Sequence, residues 1–374
     1  RGRAYPIPAF LTPQDTDFGR ALIRFSDESY LRAGADKWLA FQCATTYGLD
    51  KATMADRLSW TSENIPLITR VAIDPIDNLG DWEAAEEPWQ FLASCDEYYH
   101  CVVKKDRETT GLCVATDATC SGLQILAGLA RDKKTAQLVN VLPADRPQDA
   151  YKVVAEVSKW NCPRHIQEVM DRKIVKRTVM TIPYNAKPFS NRSYIRDALK
   201  EKGIEIDKES LTITVAAVRD AMNTVVPGPM AVMRWIEDEV SRAIKQGATK
   251  LEWVTPSGFI VLQYREIKKV ERFDLQLLGR CQLTVATQDN NEVDLNRHKA
   301  ATAPNLIHSL DASLLHLSTI RFDNPIALIH DSVLTRAVDM TELSTIVRET
   351  YMHLFAERDY LTDFASQIGA ETEP

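Results

Sequence analysis

Residues 111–124 read GLCVATDATCSGLQ, and the fold turns on how the two halves of that stretch are taken. The first half, GLCVAT at 111–116, is an apolar run long enough for one buried strand. The second half opens a helix, because Leu123, Leu126 and Leu129 or Ala130 recur at helical spacing. Asp117 stands at the joint. A second apolar segment, NPIALIHDSVLTR at 324–336, reads as a tight hairpin with His-Asp-Ser at its turn, which puts Asp331 at the apex. Each aspartate adjoins residues that favour burial, where a lone carboxylate is costly. Brought together, the two would repel unless a cation lay between them. Oxygen ligands of this kind suit Mg²⁺, and a pair of such ions suits in-line phosphoryl displacement. Turn and helix-cap aspartates are also ordinary, so on these two residues alone both readings stay open.

Working outward, helical patterns occupy the surroundings of 35–44, 54–67, 89–99, 171–184, 212–225 and 230–246. The Pro-Gly-Pro at 227–229 reads as a break between the last two. LEWVTPSGFIVLQY at 251–264 reads as another hairpin, with Pro-Ser-Gly between two β-rich runs. Strands so far apart in sequence predict an α+β fold, a small antiparallel sheet carrying long helical insertions.

Composition narrows the class. The 374 residues are 45% hydrophobic and carry a net charge of -7, with no apolar stretch of membrane-spanning length. That balance argues against a general nucleic-acid coat and still allows one basic channel on an acidic surface. The seven cysteines include no Cys-x-x-Cys pair, so neither a zinc site nor a disulfide scaffold is expected, and a reducing setting is the default. The chain opens on Arg1 in what reads as the middle of a motif, so a piece of something longer is expected.

The segment RKIVKRTVMTIPY at 172–184 is a basic helix. Arg172, Lys173, Lys176 and Arg177 share a face with no acid among them, and Ile174, Val175, Val179 and Ile182 supply the apolar side. Such a face can hold a triphosphate, Arg by forked contacts and Lys as a point charge; an ordinary solvated face fits as well. Tyr184 can pack as core or stack on a base. His308 and His330, taken singly, also fit satisfied core histidines.

Together and in order, these segments resemble the single-subunit, phage-type RNA polymerases of bacteriophages, mitochondria and chloroplasts. DATCSGLQ at 117–124 looks like the family's motif A, RKIVKRTVMTIPY at 172–184 like motif B, and IHDS at 329–332 like motif C. Arg1-Gly2-Arg3, WVTPSGF at 253–259 and APNLIHSLD at 303–311 extend the likeness over nearly the whole chain.

The resemblance implies a right-hand polymerase. The palm would take 1–135 and 251–374, and a mostly helical fingers insertion 136–250. On this likeness the family's N-terminal domain and thumb are expected to be absent from these residues. It implies DNA-directed RNA synthesis, with Asp117 and Asp331 binding two Mg²⁺ ions and Lys176 and Arg172 holding the nucleotide phosphates, Arg177 beside them. Tyr184 and His308 would favour a ribonucleotide, whose 2′-hydroxyl is the distinguishing handle. Arg1 and Arg3 would touch the template or hybrid backbone. Residues 265–289 resemble a promoter-recognition hairpin, in which Arg272, Asp274, Gln282 and Thr284 would read bases in the major groove.

The implied partners are a DNA template and promoter, nascent RNA and ribonucleoside triphosphates, with no membrane and a monomeric enzyme. The cytoplasm of a phage-infected bacterium is the expected setting, ahead of a mitochondrion or plastid. Three residues depart from the family pattern: Pro183, Asn185 where the family has glycine, and Leu310 where it has glutamine. Asn tolerates a left-handed backbone better than most residues, so the turn after Tyr184 is expected to survive. The alternatives are a family-A-like DNA polymerase, a non-catalytic nucleic-acid-binding fragment, and a two-aspartate phosphohydrolase or nuclease.

Overall fold

The computed structural model describes residues 2–276 and 281–374, and the α+β expectation holds. At the centre lies a three-stranded antiparallel sheet in the order Val114–Thr116, Ser332–Thr335, Ile326–Ile329. The last two strands form a hairpin in which Ile329 pairs with Ser332, leaving His330 and Asp331 as its two turn residues. His330 takes the left-handed φ of 55° that such a turn requires.

The run at 111–116 is not one strand. Thr109–Leu112 pairs with Arg24–Tyr30, and Val114–Thr116 pairs with Ser332–Thr335, so the chain changes sheets at Cys113. Gly111 permits the crossing, since a Cβ there would lie 2.3 Å from the Phe25 carbonyl oxygen.

The helix Ser121–Leu129 is buried on almost every side because it serves two cores. Leu123 and Ala127 join a cluster built by the helices Ala150–Lys159, Arg172–Thr181, Pro188–Glu201 and Lys208–Val225. Ile125, Leu126 and Leu129 join a second, with the helix Pro227–Lys245, the hairpin Lys250–Val254 and Ile260–Tyr264, and the long helix Leu295–Ile320. A third cluster gathers the helices between residues 35 and 101 beneath Val114. The expected 54–67 helix is two, Met54–Glu63 and Ile65–Ile73, broken at Asn64, where Pro66 starts the second.

Pro-Gly-Pro at 227–229 does separate two helices, though the break itself falls at Val226. The tripeptide forms the first turn of Pro227–Lys245, and Val226 alone separates that helix from Lys208–Val225. Proline is tolerated there because the first helical N–H groups have no intrahelical partner. Gly228 presses on Asp132, and a Cβ on it would come within 2.6 Å of the Asp132 Cβ. The Asp132 carboxylate accepts from Gly228 N at 3.1 Å while capping Lys133–Leu138 through Lys134 N and Thr135 N. Burial pushes its pKa up, but hydrogen bonds from Thr135, Gly228 and Lys134 outweigh that and hold it below the ordinary value. A depressed carboxyl stabilises fully above its unfolded pKa and loses that contribution as pH falls through the folded one. Asp132→Ala is expected to cost about 1 to 2 kcal/mol at neutral pH. The gap from wild type should close under acid, as thermal melts at neutral and acidic pH would show; an unchanged melting temperature at neutral pH would refute the role.

Candidate functional site

The central sheet positions the first aspartate by register. Thr116 pairs with Val333, so Asp117, one residue on, falls beside Ser332, and Asp331 is the next residue along the turn. Ser332 Oγ donates to Asp117 Oδ1, and Ala118 N donates to the same oxygen at 3.0 Å. Asp117 opens to solvent at the strand end, yet protein crowds its carboxyl from behind. That crowding raises its pKa, the Ser332 hydrogen bond opposes it, and the negative charge of Asp331 adds to the rise. Asp331, 214 positions away in sequence, is therefore close enough for its charge to act on Asp117, as the cation-site reading expects.

A third carboxylate lies within electrostatic reach of Asp331, and sequence reasoning missed it. Asp311 lies three residues beyond His308, about one turn along Leu295–Ile320, and is 3% exposed. Its two oxygens accept from Arg3, Nε at 3.2 Å and Nη2 in a shorter contact. Burial drives the Asp311 pKa up to about 6, Arg3 holds it back, and Asp331 adds to the rise. The Arg3 guanidinium thus turns inward to a carboxylate, in the field of Asp331 and Tyr184. Arg1 lies outside the described residues.

Tyr184 and His308 meet directly. Their rings stack with centroids 4.8 Å apart and planes inclined by 22°. The Tyr184 hydroxyl lies 3.2 Å from Ser121 Oγ, at the start of the helix that follows Asp117. Burial raises the phenol to about 12, so it stays protonated near neutral pH. Gly122 makes room for it: a Cβ there would lie 3.0 Å from Pro183 Cβ and 3.1 Å from the Tyr184 hydroxyl. The sequence signalled this glycine only as part of DATCSGLQ, not as a packing requirement.

The basic helix runs Arg172–Thr181, capped by Asp171, and ends in a 3-10 turn, Ile182–Tyr184, that absorbs Pro183. At about 100° per residue its four cations fall within an arc of about 140°, on the side opposite the buried Ile174, Val175, Thr178 and Val179, so they share the open face. Acids reach them from other helices. Arg172 Nε donates to Asp149 at 2.6 Å, and its guanidinium lies 5.2 Å from the Tyr151 ring centre. Lys173 pairs with Glu201 at 3.0 Å, and Arg177 sits 4.2 Å over Tyr194. Lys176 is exposed and, among the described residues, makes no ion pair. Leu310, another departure from the family pattern, is fully buried in the second core.

The four residues expected to read bases occupy a separate hairpin, Glu266–Leu275 and Cys281–Val293, which runs four residues beyond the expected 289. Arg272 pairs with Thr284 and Asp274 with Gln282, so all four project from one face, exposed. Residues 277–280 lie outside the described residues.

The central arrangement can hold a hard cation between carboxylates, and the exposed lysine can meet a polyphosphate. Among the described residues no group of three or more His, Cys, Asp and Glu converges on a metal position. A cation held by protein ligands alone is thereby disfavoured; one that keeps waters and takes substrate oxygens is not. No helix is long and apolar enough to cross a membrane among the described residues.

Comparison with known proteins bears on the chemistry. The family model for DNA-dependent RNA polymerase matches residues 31–373. The DNA-directed RNA polymerase of Enterobacteria phage T3 is 28% identical, the match covering 99% of this chain and 48% of that protein. The polymerase of Escherichia phage T7 is 27% identical, over 99% of this chain and 48% of its own length. The mitochondrial DNA-directed RNA polymerase of Homo sapiens is 31% identical, over 96% and 30%. The chain spans about half the length of these phage relatives and under a third of the mitochondrial one.

Proposed function

Because the chain belongs to the DNA-dependent RNA polymerase family, we propose that it carries a nucleotidyl-transfer centre adding ribonucleoside triphosphates to an RNA 3′-hydroxyl on a DNA template. The observation that carries this reading is the meeting of Asp117, Asp331 and the Tyr184–His308 stack at the end of one small sheet.

Asp117 and Asp331 would hold two Mg²⁺ ions. The fit rests on the donor set: an Asp117 carboxyl whose pKa the Asp331 charge helps to raise, only oxygen ligands, and, among the described residues, too few of them for a closed cage. When bound, the ions supply activation of the RNA 3′-hydroxyl and charge neutralisation of the departing pyrophosphate. Ser332 orients the Asp117 carboxylate through its hydrogen bond. Lys176 meets the triphosphate as a point charge, and Arg172, oriented by Asp149 and Tyr151, approaches it from one turn earlier. Arg177 stands beside them, stacked on Tyr194. Most of the rate then comes from positioning and preorganised charge.

The Tyr184 phenol and His308 would border the sugar, where a 2′-hydroxyl can be recognised. Arg3, braced by Asp311, would face the hybrid near Asp331. The sheet-bearing parts at 1–135 and 251–374 would form the palm and 136–250 the fingers; the helical core from Cys120 to Val226 supports a separate fingers unit, while Pro227–Lys245 packs with the palm side. The common face of Arg272, Asp274, Gln282 and Thr284 suits promoter reading. The polymerase would act as a monomer, in the cytoplasm of a phage-infected bacterium or in an organelle.

The test is extension of an RNA primer on a preformed RNA–DNA scaffold with Mg²⁺ and either ribo- or deoxyribonucleotides. Ribonucleotide addition is expected. A preference for deoxyribonucleotides would move the assignment to a DNA polymerase, and no addition of either would refute competence of this chain by itself.

A further inference from the structure

Asn185, the departure from glycine at the end of the basic helix, does more than tolerate the turn. Its backbone is left-handed, φ 61° and ψ 31°, and Asn185 N donates to Ile182 O at 2.8 Å while Ala186 N donates to Thr181 O at 3.1 Å. Glycine would serve that turn equally well. The side chain adds something glycine cannot. Asn185 Nδ2 donates to Lys299 O at 3.2 Å and to Ala300 O at 3.4 Å, both in the first turns of Leu295–Ile320.

Of the two, the carbonyl of Ala300 needs a donor for a reason written four residues on, whereas Lys299 O still has the N–H of Ala303 four residues ahead. Pro304 lies inside that helix and has no N–H, so the carbonyl of Ala300 loses its intrahelical partner. Lys187 Nζ donates to Asn185 Oδ1 at 2.6 Å and pairs with Glu237 at 3.1 Å. An ammonium on the oxygen fixes which end of the amide is which, and leaves Nδ2 toward the helix. Asn185 directly follows Tyr184, and Pro304 is four residues before His308, on the same face of the helix. The amide clamp and the ring stack therefore join the same two segments, one residue apart on one side and one turn apart on the other.

We propose that Asn185 is a positioning residue, whose amide replaces the hydrogen bond Pro304 removes and so holds Tyr184 in register with His308 for ribonucleotide selection. The proposal rests on the polymerase reading above. It makes Asn185 and Pro304 a coupled pair. Asn185→Gly keeps the backbone conformation and removes the clamp. The ratio of kcat/KM for ribo- over deoxyribonucleotides should fall about fivefold, the scale of one hydrogen bond, mainly through a higher ribonucleotide KM. Asn185→Asp, which places an oxygen against two carbonyls, should do worse. Pro304→Ala returns an N–H to Ala300 O, so in that background Asn185→Gly should change the ratio less than about twofold.

The experiment is the double-mutant cycle on the full chain, read twice, by scaffold extension and by thermal unfolding. Non-additive effects on both readouts support the clamp. Additive effects, or an Asn185→Asp variant with wild-type selectivity, would overturn it while leaving the polymerase reading intact. If wild type adds no nucleotide, the polymerase reading and the selective role both fall. The melting cycle alone then decides the clamp.

Discussion

Asp331→Ala is expected to lower ribonucleotide addition on a preformed scaffold by about a thousandfold or more, the scale for removing a ligand of a charge-stabilising centre. Asp331 sits in a two-residue turn, so its replacement removes no strand hydrogen bond, and the sheet should survive. The loss would come from charge. Burial raises the Asp117 pKa, and Asp331 raises it further, so the variant should let the Asp117 pKa fall toward its ordinary value. Two observations thus go together: activity lost with the fold retained, and an Asp117 carboxyl whose titration moves down in the metal-free protein. Carbon-detected NMR of the Asp117 carboxyl would follow the second. In wild type, Mg²⁺ should move the same titration down, because a cation stabilises the ionised form. A variant within tenfold of wild type would remove Asp331 from the centre.

How much of this was legible in the sequence depends on how far apart the interacting residues lie. Local periodicity located the helix after Asp117, and turn chemistry located the hairpins at 251–264 and 324–336. The family's glycine at this position, with asparagine's tolerance of a left-handed backbone, anticipated the turn at Asn185. The meeting of Asp117 with Asp331 came from family likeness; no spacing rule joins residues 214 positions apart. The split of 111–116 into two strands was hidden because the cause, a backbone passing close to Gly111, belongs to another segment. The same holds for the basic helix. It carries no acid of its own, so it read as an open cationic face, while Asp149 and Glu201 reach it from neighbouring helices. The Arg3–Asp311 pair spans 308 residues and nothing local announces it. Sequence thus supplied the elements and the candidate residue types; tertiary packing decided which charges remain available.

Gly122→Val is expected to cut kcat/KM for ribonucleotides by about a hundredfold, the penalty for shifting a catalytic contact by roughly an ångström. Helix propensity argues the other way. Gly122 lies in Ser121–Leu129 with an ordinary φ, where replacing glycine by alanine should stabilise by about 0.5 to 1 kcal/mol. Any loss of activity must therefore arise from what the new atoms meet, which is Pro183 Cβ and the hydroxyl end of Tyr184. Pro183 is buried in its 3-10 turn, so the tyrosine ring is the part that can yield. Yielding breaks the contact with Ser121 and disturbs the stack on His308. A graded series follows. Gly122→Ala should lose about tenfold with an unchanged or higher melting temperature, and Gly122→Val more. Tyr184→Phe removes one of the two clashing tyrosine atoms, so Gly122→Ala should cost less in that background than in wild type. Kinetics that stay at the wild-type level in Gly122→Val would mean that Tyr184 can move without consequence, and would detach it from the sugar pocket.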